Sequence, residues 1–272
     1  MSHLTVGGRR LFHQRRGTGD EPLLLIQGMS GTHLAWGEPF VSELEGAFDV
    51  VAYDHRGIGR SDPVTDPFTI QELAADAAGL LDELGWETAH VVGISMGGMV
   101  AQELALAHPE RIRTLTLGCT YCGGEGSELA PPATIEKLAA GMQSGDRELA
   151  IRNAFEVNVS AAFAREPGAF DAFRAMAKSL PAPVPVIMLQ MQAIAGHDTS
   201  ARLPSLELPT LVVHGDEDAM LPVGNGRMIA SLIPGSRLEI LTGVGHMFWW
   251  EQPVRSAELI RGHARAAAGR MA

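Results

Sequence analysis

His90-Val91-Val92-Gly93-Ile94-Ser95-Met96-Gly97-Gly98-Met99-Val100-Ala101-Gln102-Glu103 runs from an apolar stretch, through a serine set between two glycines, into a helix-forming stretch. Read as strand, sharp turn and helix, it places Gly-x-Ser-x-Gly on a nucleophile elbow, the strained turn that lifts a serine hydroxyl above a sheet. Glycine is required at 93 and 97 because strand and helix backbones pass too closely there for a larger side chain. The first amides of the helix point toward the serine, which makes the Met96 N–H a candidate donor to an oxyanion forming beside Ser95.

The same alternation extends outward from this stretch. Residues 3–6 and 10–14 around Gly7-Gly8 read as an opening hairpin, and 22–27, 48–53, 89–93, 112–118, 209–214 and 237–241 as six further strands. Helices are expected at 36–44, 70–84, 96–108, 223–232 and 252–267, with Thr69 as N-cap and Gly85 as stop of the second. Between 123 and 208 the strands vanish, and helical stretches at 134–142, 147–163, 169–180 and 187–194 follow one another between Gly and Pro. The expected organisation is a core formed by 1–122 and 206–272, an α/β class with a mostly parallel eight-stranded sheet flanked by helices, and an inserted helical lid at 123–205.

Composition excludes several classes of function. The chain has 272 residues, 46% of them hydrophobic and only 6% aromatic, enough for one large aliphatic core. A formal net charge of -11 without any basic run disfavours nucleic acid and anionic membranes as partners. No run approaches the roughly 20 apolar residues of a membrane span, and the arginine-containing start has no apolar stretch of signal length behind it. A cytoplasmic protein acting on a small molecule is the expectation. The two cysteines form Cys119-x-x-Cys122, but they follow a strand and run into Gly123-Gly124, where a redox pair would need a helix start. They read as packed thiols, and no nucleotide, flavin or metal motif appears: no cofactor is expected.

A serine hydroxyl is a weak nucleophile at neutral pH and needs a base, which in turn needs a group to orient it. Among ten histidines, His246 follows the last strand, is preceded by glycine, and leads into Met247-Phe248-Trp249-Trp250, which can wall it from water. His33 and His55 also follow strands and are weaker candidates. The orienting acid belongs on the loop after strand 209–214, where Asp216 and Asp218 both fit by spacing. Serine, acid, histidine is the chain order expected behind a nucleophile elbow. In the loop after strand 22–27, Gly28-Met29-Ser30-Gly31 offers the Met29 N–H as a second oxyanion donor. In 54–62 the close glycines say tight loop, with Asp54 and Arg56 as a buried structural pair.

Taken together, these motifs resemble the α/β-hydrolase superfamily, close to its esterase, enol-lactonase and non-haem perhydrolase branch. The likeness covers nearly the whole chain outside the lid. It implies that Gly215-Asp216-Glu217-Asp218 carries the acid at Asp218, that Gly245-His246 carries the base, and that Asp54-His55-Arg56-Gly57-Ile58-Gly59-Arg60-Ser61 is the structural Asp-x-Arg-Gly-x-Gly-x-Ser loop. One departure stands out: such relatives commonly have His-Gly before the first oxyanion donor, where this chain has Gln27-Gly28. Serine rather than aspartate at 95 argues against haloalkane dehalogenase and epoxide hydrolase activity.

The expected function is serine hydrolysis of a carboxylic ester or lactone, with Ser95, Asp218 and His246 as triad. Enol-lactone or carbon–carbon bond hydrolysis, or cofactor-free perhydrolysis, would use the same triad, and a ligand receptor retaining the pocket is the reading from another class. Gln27, Gly28, Met142, Phe155, Met188, Met191 and Met247 are the expected pocket residues, and the methionines suggest a mainly apolar substrate.

Overall fold

The computed structural model describes residues 2–271. It opens with β1 (Ser2–Val6) and β2 (Arg9–Arg16), then β3 (Glu21–Ile26), a 3-10 turn at His33–Trp36, α1 (Glu38–Glu45), β4 (Phe48–Tyr53), α2 (Ile70–Glu83), β5 (Ala89–Ile94), α3 (Met96–Ala107) and β6 (Ile112–Gly118). Four helices follow without a strand: α4 (Pro132–Gln143), α5 (Arg147–Asn158), α6 (Ala169–Ser179) and α7 (Val184–Ala195). The alternation then resumes with β7 (Thr210–Gly215), α8 (Gly224–Leu232), β8 (Arg237–Leu241), α9 (Phe248–Glu251) and α10 (Pro253–Met271).

The eight strands form one sheet in the order β1-β2-β4-β3-β5-β6-β7-β8. Only β2 runs against its neighbours, pairing antiparallel with β1 and with β4, while every pair from β4 to β8 is parallel. Parallel strands need covered faces, and the alternation in β3 shows how this is met: Leu24 and Ile26 belong to the buried cluster that includes side chains of α2, α3 and α8, Leu23 and Leu25 to the one that includes α1 and α10. The chain leaves β3 for β4 on one side and returns to β5 on the other, so β3 and β5 flank the point where strand order reverses. Ligands of open α/β sheets bind beyond the carboxyl ends of the strands at such a point.

Local signals account for the element ends. Thr69 and Glu72 close a capping box on α2, each side chain bonded to the other's backbone. The helix expected at 147–163 is shorter than its apolar pattern: α5 ends at Asn158, Val159 takes an extended conformation, and a 3-10 turn covers Phe163–Arg165. The last helix begins at Pro253, where proline suits a first turn, with α9 as a separate single turn before it.

The loop after β4 departs from expectation. Asp54 and Arg56 do not pair; Arg56 forms a two-pronged bond with buried Asp76 of α2 at 2.6 and 2.7 Å. Asp54 accepts from the His33 amide at 2.7 Å, the His33 ring at 2.9 Å and the Arg60 amide at 2.9 Å. The tight turn points the two side chains to different elements, so each finds its partner across the fold rather than within the loop.

The elbow is as crowded as its glycines require. A Cβ at Gly93 would lie 2.2 Å from the Gly97 carbonyl, and one at Gly97 2.1 Å from the Ile26 carbonyl. Gly97→Ala should therefore destabilise the fold by roughly 1–3 kcal/mol, as overpacking against backbone does, and displace the loop that follows β3. Denaturant unfolding checks this; an unchanged midpoint would mean that α3 can shift without cost.

Candidate active site

Ser95 caps α3 at φ 53 and ψ -125, a conformation that costs a non-glycine residue on the order of 1–3 kcal/mol. The surroundings enforce it. Its amide donates to Gly118 O at 3.0 Å, while its carbonyl accepts from the Gly98 amide at 2.9 Å and the Thr120 hydroxyl at 2.7 Å. Among the described residues no hydrogen bond engages the Ser95 hydroxyl, and the side chain faces a cavity.

The sheet delivers the partners to the same edge. His246, after β8, and Asp218, after β7, are both buried, and His246 Nδ1 lies 2.7 Å from Asp218 Oδ2. The other carboxylate oxygen of Asp218 accepts from the Met220 and Leu221 amides at 2.8 and 2.9 Å. Asp216 is exposed and accepts from the Gly243 amide at 2.7 Å. The choice that spacing left open therefore resolves geometrically: Asp218 is the carboxylate on the imidazole.

Electrostatics couple the pair. Burial would push the Asp218 carboxyl up, but the charges and hydrogen bonds of His246 and His214 hold it well below the usual carboxylate range. Burial would likewise depress the His246 imidazole, yet the Asp218 carboxylate, with the Cys119 thiol, raises it well above its ordinary value. An ionised carboxylate so placed fixes the proton on Nδ1 and leaves Nε2 available to accept one.

Two neighbours of this pair were not legible as such. His214, the penultimate residue of β7, is fully buried with Nε2 3.1 Å from Asp218 Oδ2 and 2.7 Å from Leu221 O, so it braces the loop that holds the acid. The signal was a histidine four residues before the acid. Cys119 directly follows β6 at φ 40, buried, its thiol against His246 and the Ser95 backbone. Cys122 is also a buried free thiol.

The loop after β3 is arranged around one amide. Gly28 N–H donates to Gln27 Oε1 at 2.8 Å and Ser30 N–H to Gln190 Oε1 at 2.9 Å, while no bond among the described residues uses the Met29 N–H between them. Gln27 thus ties the loop through its own side chain in the place where histidine was expected. A Cβ at Gly28 would come within 3.0 Å of Ser95 Cβ, which brings this loop against the serine. Met96 opens α3, so its amide has no partner within the helix. His55 Nε2 donates to Gln27 O at 2.9 Å, and His33 is held by Asp54; neither lines the cavity.

The cavity has a volume of about 440 Å³, and Gln27, Gly28, Met29, Ser95, His246 and Met247 are in its wall. The segment between β6 and β7 supplies much of the remainder, including Leu138, Ile151, Phe173, Met176, Leu180 and Ile187. Four expected pocket residues are not there. Phe155 turns into a buried cluster with Phe170 and Phe173. Met142, Met188 and Met191 face outward, 58%, 53% and 48% exposed, because packing of α4 and α7 turns Leu138 and Ile187 inward instead. Among the described residues no cluster of metal-ligating side chains occurs, and no helix is long and apolar enough to cross a membrane.

Comparison with known proteins agrees with this fold. The chain is 32% identical over 282 aligned positions to the rhodomycin D methylesterase DnrP of Streptomyces peucetius, covering 91% of this chain and 92% of that one. The solved structure of Est816, an N-acyl homoserine lactone degrading enzyme, superposes with a TM-score of 0.77 at 31% identity, covering 96% of this chain and 99% of that one. The enol-lactonase of Burkholderia xenovorans LB400 gives a TM-score of 0.83 at 25% identity over 96% of this chain and 98% of its own. The family model for the alpha/beta hydrolase fold matches residues 21–253, from β3 to the start of α10, and the chain belongs to that family.

Proposed function

We propose that this α/β-family hydrolase cleaves a carboxylic ester or lactone through an acyl-enzyme on Ser95. The observation that carries this reading is the strained Ser95 opening into the same cavity as a His246 held at 2.7 Å by buried Asp218. Ser95 Oγ attacks the substrate carbonyl as its proton passes to His246 Nε2. The tetrahedral oxyanion is met by the Met29 and Met96 amides, and each such donor is worth roughly 3 kcal/mol of barrier. Collapse breaks the C–O bond, and the leaving oxygen takes the proton from His246. Water, deprotonated by the same nitrogen, then releases the acid and restores Ser95. The helices between β6 and β7 act as the lid, and their apolar side chains suit a mainly apolar substrate.

Release of p-nitrophenol from esters of graded acyl length tests the reading, and a lactone panel beside it separates ester from ring substrates. Turnover that survives loss of the Ser95 hydroxyl would refute it. A pH profile gives an independent check. The base works only when neutral, and its pKa is raised, so kcat/KM should fall as pH drops through a value above the ordinary 6.5 of an imidazole. An acid limb at or below about pH 6 would contradict the coupling of His246 to Asp218.

A further inference from the structure

One charge in the cavity wall has no task in this mechanism. Arg147 is the only formally charged side chain lining the cavity among the described residues apart from the His246 imidazole, and no aspartate or glutamate shares that wall. No hydrogen bond or ion pair engages its guanidinium among those residues, although acids lie close in sequence. These are already committed: Asp146 accepts from the Glu148 and Leu149 amides at 2.8 and 3.3 Å, and Glu148 pairs with Lys178. Arg147 is also the first residue of α5, where the helix dipole disfavours a cation, so local helix stability does not account for it.

The helix that carries Arg147 sets its distance from the chemistry. Arg147, Ile151, Ala154 and Asn158 occupy one face of α5 and line the cavity along its length. The far end abuts the His246 loop, since Asn158 O accepts from the Met247 amide at 2.8 Å. Eleven residues of helix separate that end from Arg147, about 16 Å along the axis. The wall between is apolar: Leu138, Ala150, Ile151, Ala154 and Ala177.

We infer that Arg147 is a specificity-determining residue that recognises an anionic group, most simply a carboxylate, at the end of the substrate remote from the scissile carbonyl. The substrates are then esters or lactones of an apolar chain that ends in an acid. A guanidinium matches a carboxylate with two parallel hydrogen bonds, and the Arg147 side chain, exposed to solvent while lining the cavity, holds that fork free for an incoming anion. The inference rests on the hydrolase reading for the word substrate, but the site itself can be tested without turnover.

The kinetic test compares p-nitrophenyl monoesters of adipic, suberic and sebacic acid with the same compounds methylated at the free acid. A parallel pair, an acetate ester of a long ω-hydroxy acid and its methyl ester, carries the acid on the alcohol side. The native chain should prefer the free acid in at least one series, and the series identifies the side. In Arg147→Gln that preference should fall about tenfold, chiefly through KM, and Arg147→Lys should recover part of it. Calorimetry on Ser95→Ala, with and without Arg147→Gln, adds a readout free of catalysis: sebacate should bind more tightly than decanoate only when Arg147 is present. If no ester is hydrolysed but this difference holds, the hydrolase reading falls and the anion site stands. No preference for the acid in turnover or binding, or a preference untouched by Arg147→Gln, would overturn the inference.

Discussion

Ser95→Ala should abolish ester turnover, lowering kcat/KM by about 10⁴-fold or more, while the protein remains folded. The loss is large because Ser95 is the hydroxyl set on the elbow beside His246, and the other nucleophile against that histidine, Cys119, is fully buried, its thiol pushed up by burial and so kept protonated. Stability should change little, within about 0.5 kcal/mol. The Ser95 hydroxyl makes no hydrogen bond in the chain among the described residues, and alanine meets the same strain at φ 53 as serine does. p-Nitrophenol release and denaturant unfolding, measured on one preparation, check both halves. Activity above a tenth of native would place the chemistry elsewhere in the cavity.

The second large effect separates two carboxylates only two residues apart. Asp218→Asn should cost about 10⁴-fold in kcat, whereas Asp216→Asn should stay within a few-fold. At 218 the amide oxygen would remain on the Met220 and Leu221 amides, which need an acceptor. Its NH2 would then face His246 Nδ1 and His214 Nε2, where the carboxylate now accepts. A donor there forces the His246 proton onto Nε2, the atom that must be bare to take the serine proton. At 216 an asparagine oxygen can accept from the Gly243 amide just as the aspartate does. Equal losses at the two positions would mean that the fold, and not the tautomer, had been damaged.

Short-range patterns account for what the sequence made legible. Strands β4, β6 and β8 begin and end where apolar runs meet turn residues, and β1 and β2 pair about Gly7-Gly8 as the alternation requires. The loops carrying Ser95, Asp218 and His246 were each marked by a glycine, because a backbone that turns sharply off a strand end needs one. Once parallel strands are inferred, their carboxyl ends share one edge, so three distant residues fall together without any contact being known.

The sequence by itself therefore determined the α/β architecture, the chain order of the three residues and the single departure at Gln27. Only the tertiary structure decided which way each helix faces: Ile187 inward and Met188 outward differ by one residue, about 100° of helix rotation. An apolar pattern cannot resolve that when both sides of a helix are apolar, as in α7. The same holds for the partner of Arg56, the brace of His214 on Asp218 and the placement of Arg147 at the end of the cavity. Each is a contact between segments far apart or differently rotated, set by how whole elements pack rather than by any preference a local stretch carries.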